Sequence, residues 1–538
     1  MKLNKTRIII FALGIIFSSN FLFAEKIELP EVTTVITGDT EKADSDALSD
    51  FDDVMKLPKG RTTVEPVLPE LKPPVEEAAP AAPQVEPEKS LKVEGYAGGG
   101  YPVLIKGDLA VSYLTEKNLF EIDFSHDSAA AYTNHSLTEN YFDRNTSLEI
   151  NNSFKNKNFL WNLKGAYKTF ADGLQQNLIY NNHVINQLTR DNYNVSTIIS
   201  YEFSNGIITG AQASLDFYNR YADSFINRIP TFLYMEVSPE LFIKWHGYGF
   251  EAGLTANYLY SDEIISDLKF LQGHRAEFAL NLQWQNDYVK LYGNVAAVIG
   301  NQLKEKPVIV PFTVGVDASF PVSFSDKRFG ILAEGGIKSY RSGINQLENK
   351  YKFALRNNNT TETSDWFGKL TVSVPVLNFL TATTTAEYRR TAYDNGVLEP
   401  DYHNSDFSIY GFEEKEHQLL ITDFQIKYNY ENFSVTGGWH SNWLDCPVLE
   451  NVQTVNVKME YKSSSGKWGI NASGSLAINS EFDIPEIGAG GFVQITPYLS
   501  AELYVNDIIK LYKGETRSYA GKYVSRGGSV ILLLKFIF

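Results

Sequence analysis

His126, Asp127 and Ser128 stand side by side and are the three side-chain types of a hydrolytic relay. A relay needs all three turned to one point, whereas neighbours in an extended segment point to opposite faces, so they are not expected to act together. Metal and nucleotide chemistry find no better footing. The eight histidines are scattered without ligand spacing, and the single cysteine, Cys446, leaves no thiol pair for zinc or a disulfide framework. HExxH, GxSxG and P-loop patterns do not occur. The run Gly98 to Gly100 has the texture of a phosphate-binding loop, but no helical pattern follows it; a flexible lead into a first strand is expected instead. Neither an enzyme nor a cofactor or metal is anticipated. What remains are charges set two or four residues apart: Lys164 and Lys168, Glu334 and Lys338, Lys458 and Glu460, with His440 in a similar setting. On a strand that spacing puts them on one face, where they can bind or steer polar solutes.

The elements that must carry those charges are strands. In FLWNLKGAYKTF, Phe159, Trp161, Leu163, Gly165 and Tyr167 share one face, and Asn162, Lys164, Ala166 and Lys168 the other. The same alternation sets Phe329, Ile331, Ala333 and Ile337 against Glu334, Gly336 and Lys338, with Leu332 breaking the polar side. It sets Phe433, Val435, Trp439 and Trp443 against Ser434, Thr436, His440 and Asn442, and recurs in VNVKMEY and LSAELYVN. Segments of about ten residues match a tilted membrane strand. Past the first two dozen residues no uncharged apolar run of eighteen occurs, which excludes a bundle of transmembrane helices. A net charge of −16 disfavours a nucleic-acid partner.

The chain of 538 residues divides into three parts. Residues 1–24 have a basic start (Lys2, Lys5, Arg7), a short apolar core and small Ala24 before Glu25, the pattern of a secretory signal peptide. Residues 25–90 hold sixteen acids against seven bases, and eight of the twenty prolines lie between 58 and 87. An acidic, Pro-rich periplasmic linker is expected there, extended where proline is dense. Residues 91–538 number 448; at roughly 20 to 22 residues per strand and turn they give about 20 to 22 strands. The expected fold is all-β: one large antiparallel transmembrane β-barrel, closed so that lipid meets no unpaired edge. Tyr167 with Phe170, Phe329 with Tyr340, and Trp439 with Trp443 are expected in its interfacial girdles. Asn205-Gly206, Gly247 to Gly249 and Ser463 to Gly466 read as periplasmic turns, and 128–145, 171–190, 261–273, 341–365 and 392–416 as external loops.

The last ten residues, SVILLLKFIF, resemble the closing strand of bacterial outer-membrane barrels. Val530, Leu532, Leu534, Phe536 and terminal Phe538 share one face, and the resemblance implies that the barrel-assembly machinery reads them. With the signal peptide this places the protein in the bacterial outer membrane, with lipid around it. Upstream, EVTTVITGDT is similar to the coupling box of TonB-dependent receptors at Glu31, Thr34, Val35, Ile36, Thr37 and Gly38. That similarity implies a TonB-type energy-coupling partner and a barrel of about 22 strands. The chain departs from the family in one respect: about fifty residues, largely Pro-rich, separate Gly38 from Lys92, too few for the family's folded plug.

Transport of small solutes or ligands through the lumen is therefore the expected function, porin-like or receptor-like, with Lys164, Lys168, Glu334, Lys338, His440, Lys458 and Glu460 setting selectivity. The alternative is a surface adhesin or structural barrel that acts through its long loops.

Overall fold

Period-two alternation builds the wall. The computed structural model describes the chain from Ser90 onward, apart from residues 136, 181–182, 224–227, 266–271, 302, 304–307, 324, 356–361, 403–408 and 479–483. The signal peptide, most of the acidic linker and the box-like residues Glu31 to Gly38 lie outside the described residues.

Twenty-two strands follow one another around the wall. They are β1 (Ser90–Tyr101), β2 (Val103–Leu114), β3 (Asn118–Ala131), β4 (Asp143–Asn156), β5 (Phe159–Tyr180), β6 (His183–Glu202), β7 (Ile207–Asp223) and β8 (Arg228–Gly247). Next come β9 (Phe250–Ile265), β10 (Gly273–Gln285), β11 (Val289–Gly300), β12 (Phe312–Val322), β13 (Ser325–Arg341), β14 (Glu362–Leu377) and β15 (Leu380–Thr391). The set ends with β16 (Gln418–Tyr430), β17 (Phe433–Asn442), β18 (Gln453–Lys462), β19 (Trp468–Ile478), β20 (Glu486–Thr496), β21 (Leu499–Asn506) and β22 (Ser529–Ile537). Each pairs antiparallel with the next, and β22 returns to pair with β1, so the sheet closes. Phe538 extends that seam by exchanging backbone hydrogen bonds with Val93 at 2.9 and 2.7 Å.

The glycine run is not a loose lead-in. Gly98 to Gly100 lie inside β1, paired with β2 on one side and β22 on the other. A Cβ on Gly98 or Gly100 would run into the carbonyl oxygens of Leu532 and Val530. Close approach of two backbones at the seam, not flexibility, requires glycine here.

The exterior is apolar and exposed, as a lipid-facing wall must be: Leu241, Leu254, Phe278, Leu532 and Leu534 are all exposed. Exposed aromatics gather at the end where the connections are short, among them Tyr201, Phe250, Tyr288, Tyr430, Trp468 and Phe538. Tyr193, Tyr258, Trp366 and Trp443 are exposed nearer the loop end. These are the two interfacial belts of an outer-membrane barrel. Of the expected girdle pairs, Trp439 and Trp443 do meet, ring centroids 5.8 Å apart. The other two pairs fail because their members lie an odd number of positions apart on the strand. Tyr167 stacks against Tyr193 on the outside, while Phe170 lies on the opposite face under Arg190. Phe329 pairs with exposed Phe320, whereas the Tyr340 hydroxyl is directed to Asp365 at 3.4 Å.

Strand length is uneven. β5, β6 and β8 run 22, 20 and 20 residues, twice the ~9–11 that a tilted membrane strand needs, whereas β21 and β22 run 8 and 9. The excess stands beyond the bilayer at the loop end. The expected loop 171–190 is therefore mostly the tip of a tall hairpin. Conversely, residues 507–528 between β21 and β22 form a long connection that is absent from the expected loops.

Candidate functional site: a lumen spanned by its own loops

By register the inner face is polar. Lys168 lies opposite Ser147 and Asn192 and is 2.9 Å from Glu149; Lys164 shares that face opposite Asn151 and Ser196. Glu334 accepts a 2.8 Å hydrogen bond from Tyr292, two strands away. The tyrosine ring reaches it by lying across Gly315, where a Cβ would collide with the ring. Lys338 is 3.8 Å from Glu334 and sits 3.9 Å above the Phe367 ring. His440 meets Asp423 at 2.7 Å, Lys458 meets Glu460 at 2.8 Å, and Glu460 accepts from Ser434 at 3.5 Å. These charges are thus distributed over β5, β13, β17 and β18 in local pairs and do not converge on one point.

The hydrolytic trio does not assemble. His126 bonds Thr146 at 2.8 Å and Ser128 at 3.0 Å, while Asp127, on the other face, is held by Lys106 at 2.8 Å and Arg526 at 2.7 Å. Among the described residues no group of three or more His, Cys, Asp or Glu is placed to hold a metal. Burial, aided by the charge of Glu450, pushes the Cys446 thiol up to about 11, so it is protonated at neutral pH and a poor nucleophile.

The convergence lies at the loop end. A single apolar cluster joins Leu174, Ile185, Leu188 and Ala222 of β5–β7 to three connections. Residues 342–361 bring Leu347, Tyr351 and Phe353; residues 392–417 bring Leu398, Tyr402, Tyr410 and Phe412; residues 507–528 bring Ala520 and Tyr523. The three sectors of wall concerned, β5–β7, β13–β16 and β21–β22, are separated by five, four and four strands. Segments that meet from such sectors span the mouth. Phe353 stacks on Tyr523 at 3.6 Å with ring planes 5° apart. Tyr402 donates to the Lys352 carbonyl at 2.6 Å, and the Leu355 and Tyr410 amides bond the Tyr410 and Phe353 carbonyls at 2.9 and 3.0 Å. Gln175 on β5 both donates to and accepts from Val524, at 2.7 and 3.0 Å.

Buried charges fasten this cap to the wall. Residues 344–350 form α1 (Ile344–Lys350), and its Glu348 is fully buried. Tyr218 and Arg220 of β7 each donate to one of its carboxylate oxygens at 2.5 Å. Arg190 of β6 donates to the Glu348 carbonyl and to Asp172 of β5. Lys352 lies 3.1 Å from Asp172. Burial works against the Lys352 cation, but the carboxylates of Asp172 and Asp143 outweigh it and hold its pKa above the ordinary lysine value. Its contribution is present at neutral pH and is lost only as the pH rises through that elevated value. Farther round, Arg341 bonds Glu236 and Tyr234, Arg275 grips Glu362 through two 2.9 Å bonds, and Arg526 ties Asp143 (2.9 Å) to Asp127. No spacing signal in the sequence marks these residues, because the partners lie from 18 positions apart (Arg190 and Asp172) to 399 (Arg526 and Asp127). The one visible hint was charge persisting in β5–β8 beyond the length that a membrane strand needs.

No protein-family model matches the chain, and no curated protein matches it. Solved structures do resemble it. The ferric enterobactin receptor PfeA of Pseudomonas aeruginosa aligns with a TM-score of 0.59 at 9% identity, over 84% of this chain and 81% of that one. The FrpB iron transporter of Neisseria meningitidis gives 0.60 at 9%, over 84% and 82%. The copper transporter OprC gives 0.59 at 10%, over 84% and 81%. At such identities the likeness is one of fold. Together with the lipid-facing belt and the closed sheet, it makes this chain an outer-membrane β-barrel protein whose 22-stranded barrel is distantly similar to those of TonB-dependent receptors.

Proposed function

We propose that the protein takes up small hydrophilic solutes or ligands through its lumen, and that the interlocked loops are the outer gate. The observation that carries this reading is a polar-faced lumen whose mouth is spanned by segments from three sectors of the wall. The names of the similar structures, a ferric enterobactin receptor, an iron transporter and a copper transporter, favour ligand uptake over general diffusion. Lys164, Lys168, Glu334, Lys338, His440, Lys458 and Glu460 would set the selectivity of the path.

The test is the reversal potential in a salt gradient, read on a barrel with residues 342–361 shortened so that current flows. Lys164→Glu with Lys168→Glu is expected to shift it toward cations. An unchanged potential would mean that these side chains do not line the conducting path.

Energy coupling through Glu31, Thr34, Val35, Ile36, Thr37 and Gly38 belongs to the same proposal. A peptide spanning Glu31 to Thr40 should capture a TonB-type periplasmic domain more strongly than its scrambled counterpart; equal capture removes coupling from the account. Recognition of Val530, Leu532, Leu534, Phe536 and Phe538 by the barrel-assembly machinery rests on their outward placement at the seam.

A further inference from the structure

The charges beneath α1 have the make-up of a binding site that the protein fills with its own side chain. Glu348 divides its carboxylate between Tyr218 and Arg220, each at 2.5 Å, while Arg190 on the next strand donates to the Glu348 backbone carbonyl and to Asp172. All three wall residues are more than nine-tenths buried. Both guanidinium groups lie over aromatic rings, Arg220 5.0 Å from Phe232 and Arg190 5.8 Å from Phe170, which fixes their planes. Arg190 Nε is buried and has no acceptor among the described residues.

A flat, oriented cation and a buried hydroxyl, with a second guanidinium beside them, recognise any carboxylate with paired oxygens. Nothing in that donor set is particular to a glutamate side chain. The donors belong to the rigid wall, whereas the acid belongs to a seven-residue helix in the cap, so the acid is the movable partner. A buried ion pair is also a poor choice for mere fastening, since well-packed apolar residues stabilise as much or more. Its distinctive property is that another acid can exchange with it.

We propose that Arg220 and Tyr218, flanked by Arg190, form a binding site for a carboxylate-bearing ligand, that Glu348 occupies it as an internal competitor, and that an incoming acid releases α1 by replacing it. This rests on the reading of the lumen as a gated path. A ligand acid would shift the cap only by its extra affinity for the released state.

The test uses acetate as probe and acetamide as its neutral counterpart, titrated calorimetrically into the refolded full-length protein. Glu348→Ala is expected to bind acetate at least tenfold more tightly than acetamide, to do so where the wild type does not, and to lose the preference when Arg220→Ala is added. Glu348→Ser serves the same titration if the alanine variant does not refold, folding being read from heat-modifiable gel mobility. Acetate binding no tighter than acetamide, or unchanged by Arg220→Ala, would overturn the proposal. In planar bilayers Glu348→Ala should also open more often, and acetate should partly reclose it. Opening without acetate preference sinks the carboxylate site and spares the gated path; acetate preference with no current in any variant supports the site and removes the path.

Discussion

Gly100→Val is expected to abolish the folded barrel. The added Cβ meets the carbonyl oxygen of Val530 on β22, a backbone atom that cannot swing aside. β1 cannot retreat either, because β2 holds its other edge from Ser90 to Gly100. Overpacking of this kind costs about 1–3 kcal/mol in an ordinary core. Here the strain falls on the one seam that closes the sheet, and each backbone group unpaired in lipid adds several kcal/mol more. The folded band of a heat-modifiable gel should therefore fall by well over tenfold. Gly368→Val is the control, since a Cβ there meets nothing within 4 Å, and its yield should match the wild type. Equal yields for the two variants would show that the seam tolerates what its geometry forbids.

Phe353→Ala should leave the barrel standing and loosen the cap. The ring stacks on Tyr523 at 3.6 Å and meets Tyr519 edge-on at 6.2 Å, joining two loops that arise far apart on the wall. Removing a buried phenylalanine costs about 3–5 kcal/mol, and nearly all of it falls on the cap, because Phe353 belongs to no barrel strand. Heat-modifiable mobility is expected to persist while trypsin cleaves faster after Lys350, Lys352 and Lys522. Cleavage at the wild-type rate would mean that the aromatic cluster is not what holds the loops.

Much of the wall was legible in the sequence because alternation is a local property. Phe159 to Tyr167 and Val530 to Phe538 announce both their strands and their lipid-facing sides, and the expected 20 to 22 strands meet an observed 22. The same locality sets the limit. Phe170 was paired with Tyr167 by closeness in sequence, although three positions on a strand reverse the face. Gly98 to Gly100 looked like slack, since the approach of β22 depends on residues more than four hundred positions away. The stretch 507–528 lies outside the expected loops, yet its short hairpin Arg517–Ala520 and Tyr523–Ser525 belongs to the cap. Residues 171–190 read as loop for the opposite reason, being polar strand above the membrane, where no lipid demands an apolar face. For the site, period two could put the charges of β5, β13, β17 and β18 on one face of their strands. It could not join Glu348 to Arg190 and Arg220, since only the folded chain brings α1 to β6 and β7.

The gate itself is tested most directly by single-channel conductance. Full-length protein would be compared in planar bilayers with a variant in which residues 342–361 are replaced by a short Gly-Ser turn, each with and without residues 25–89 so that the linker is read separately. Little or no current is expected from the intact cap, and large, steady openings once it is shortened, whether or not the linker is present. Large openings from the full-length barrel, or a shortened barrel that stays silent in both forms, would contradict the gate.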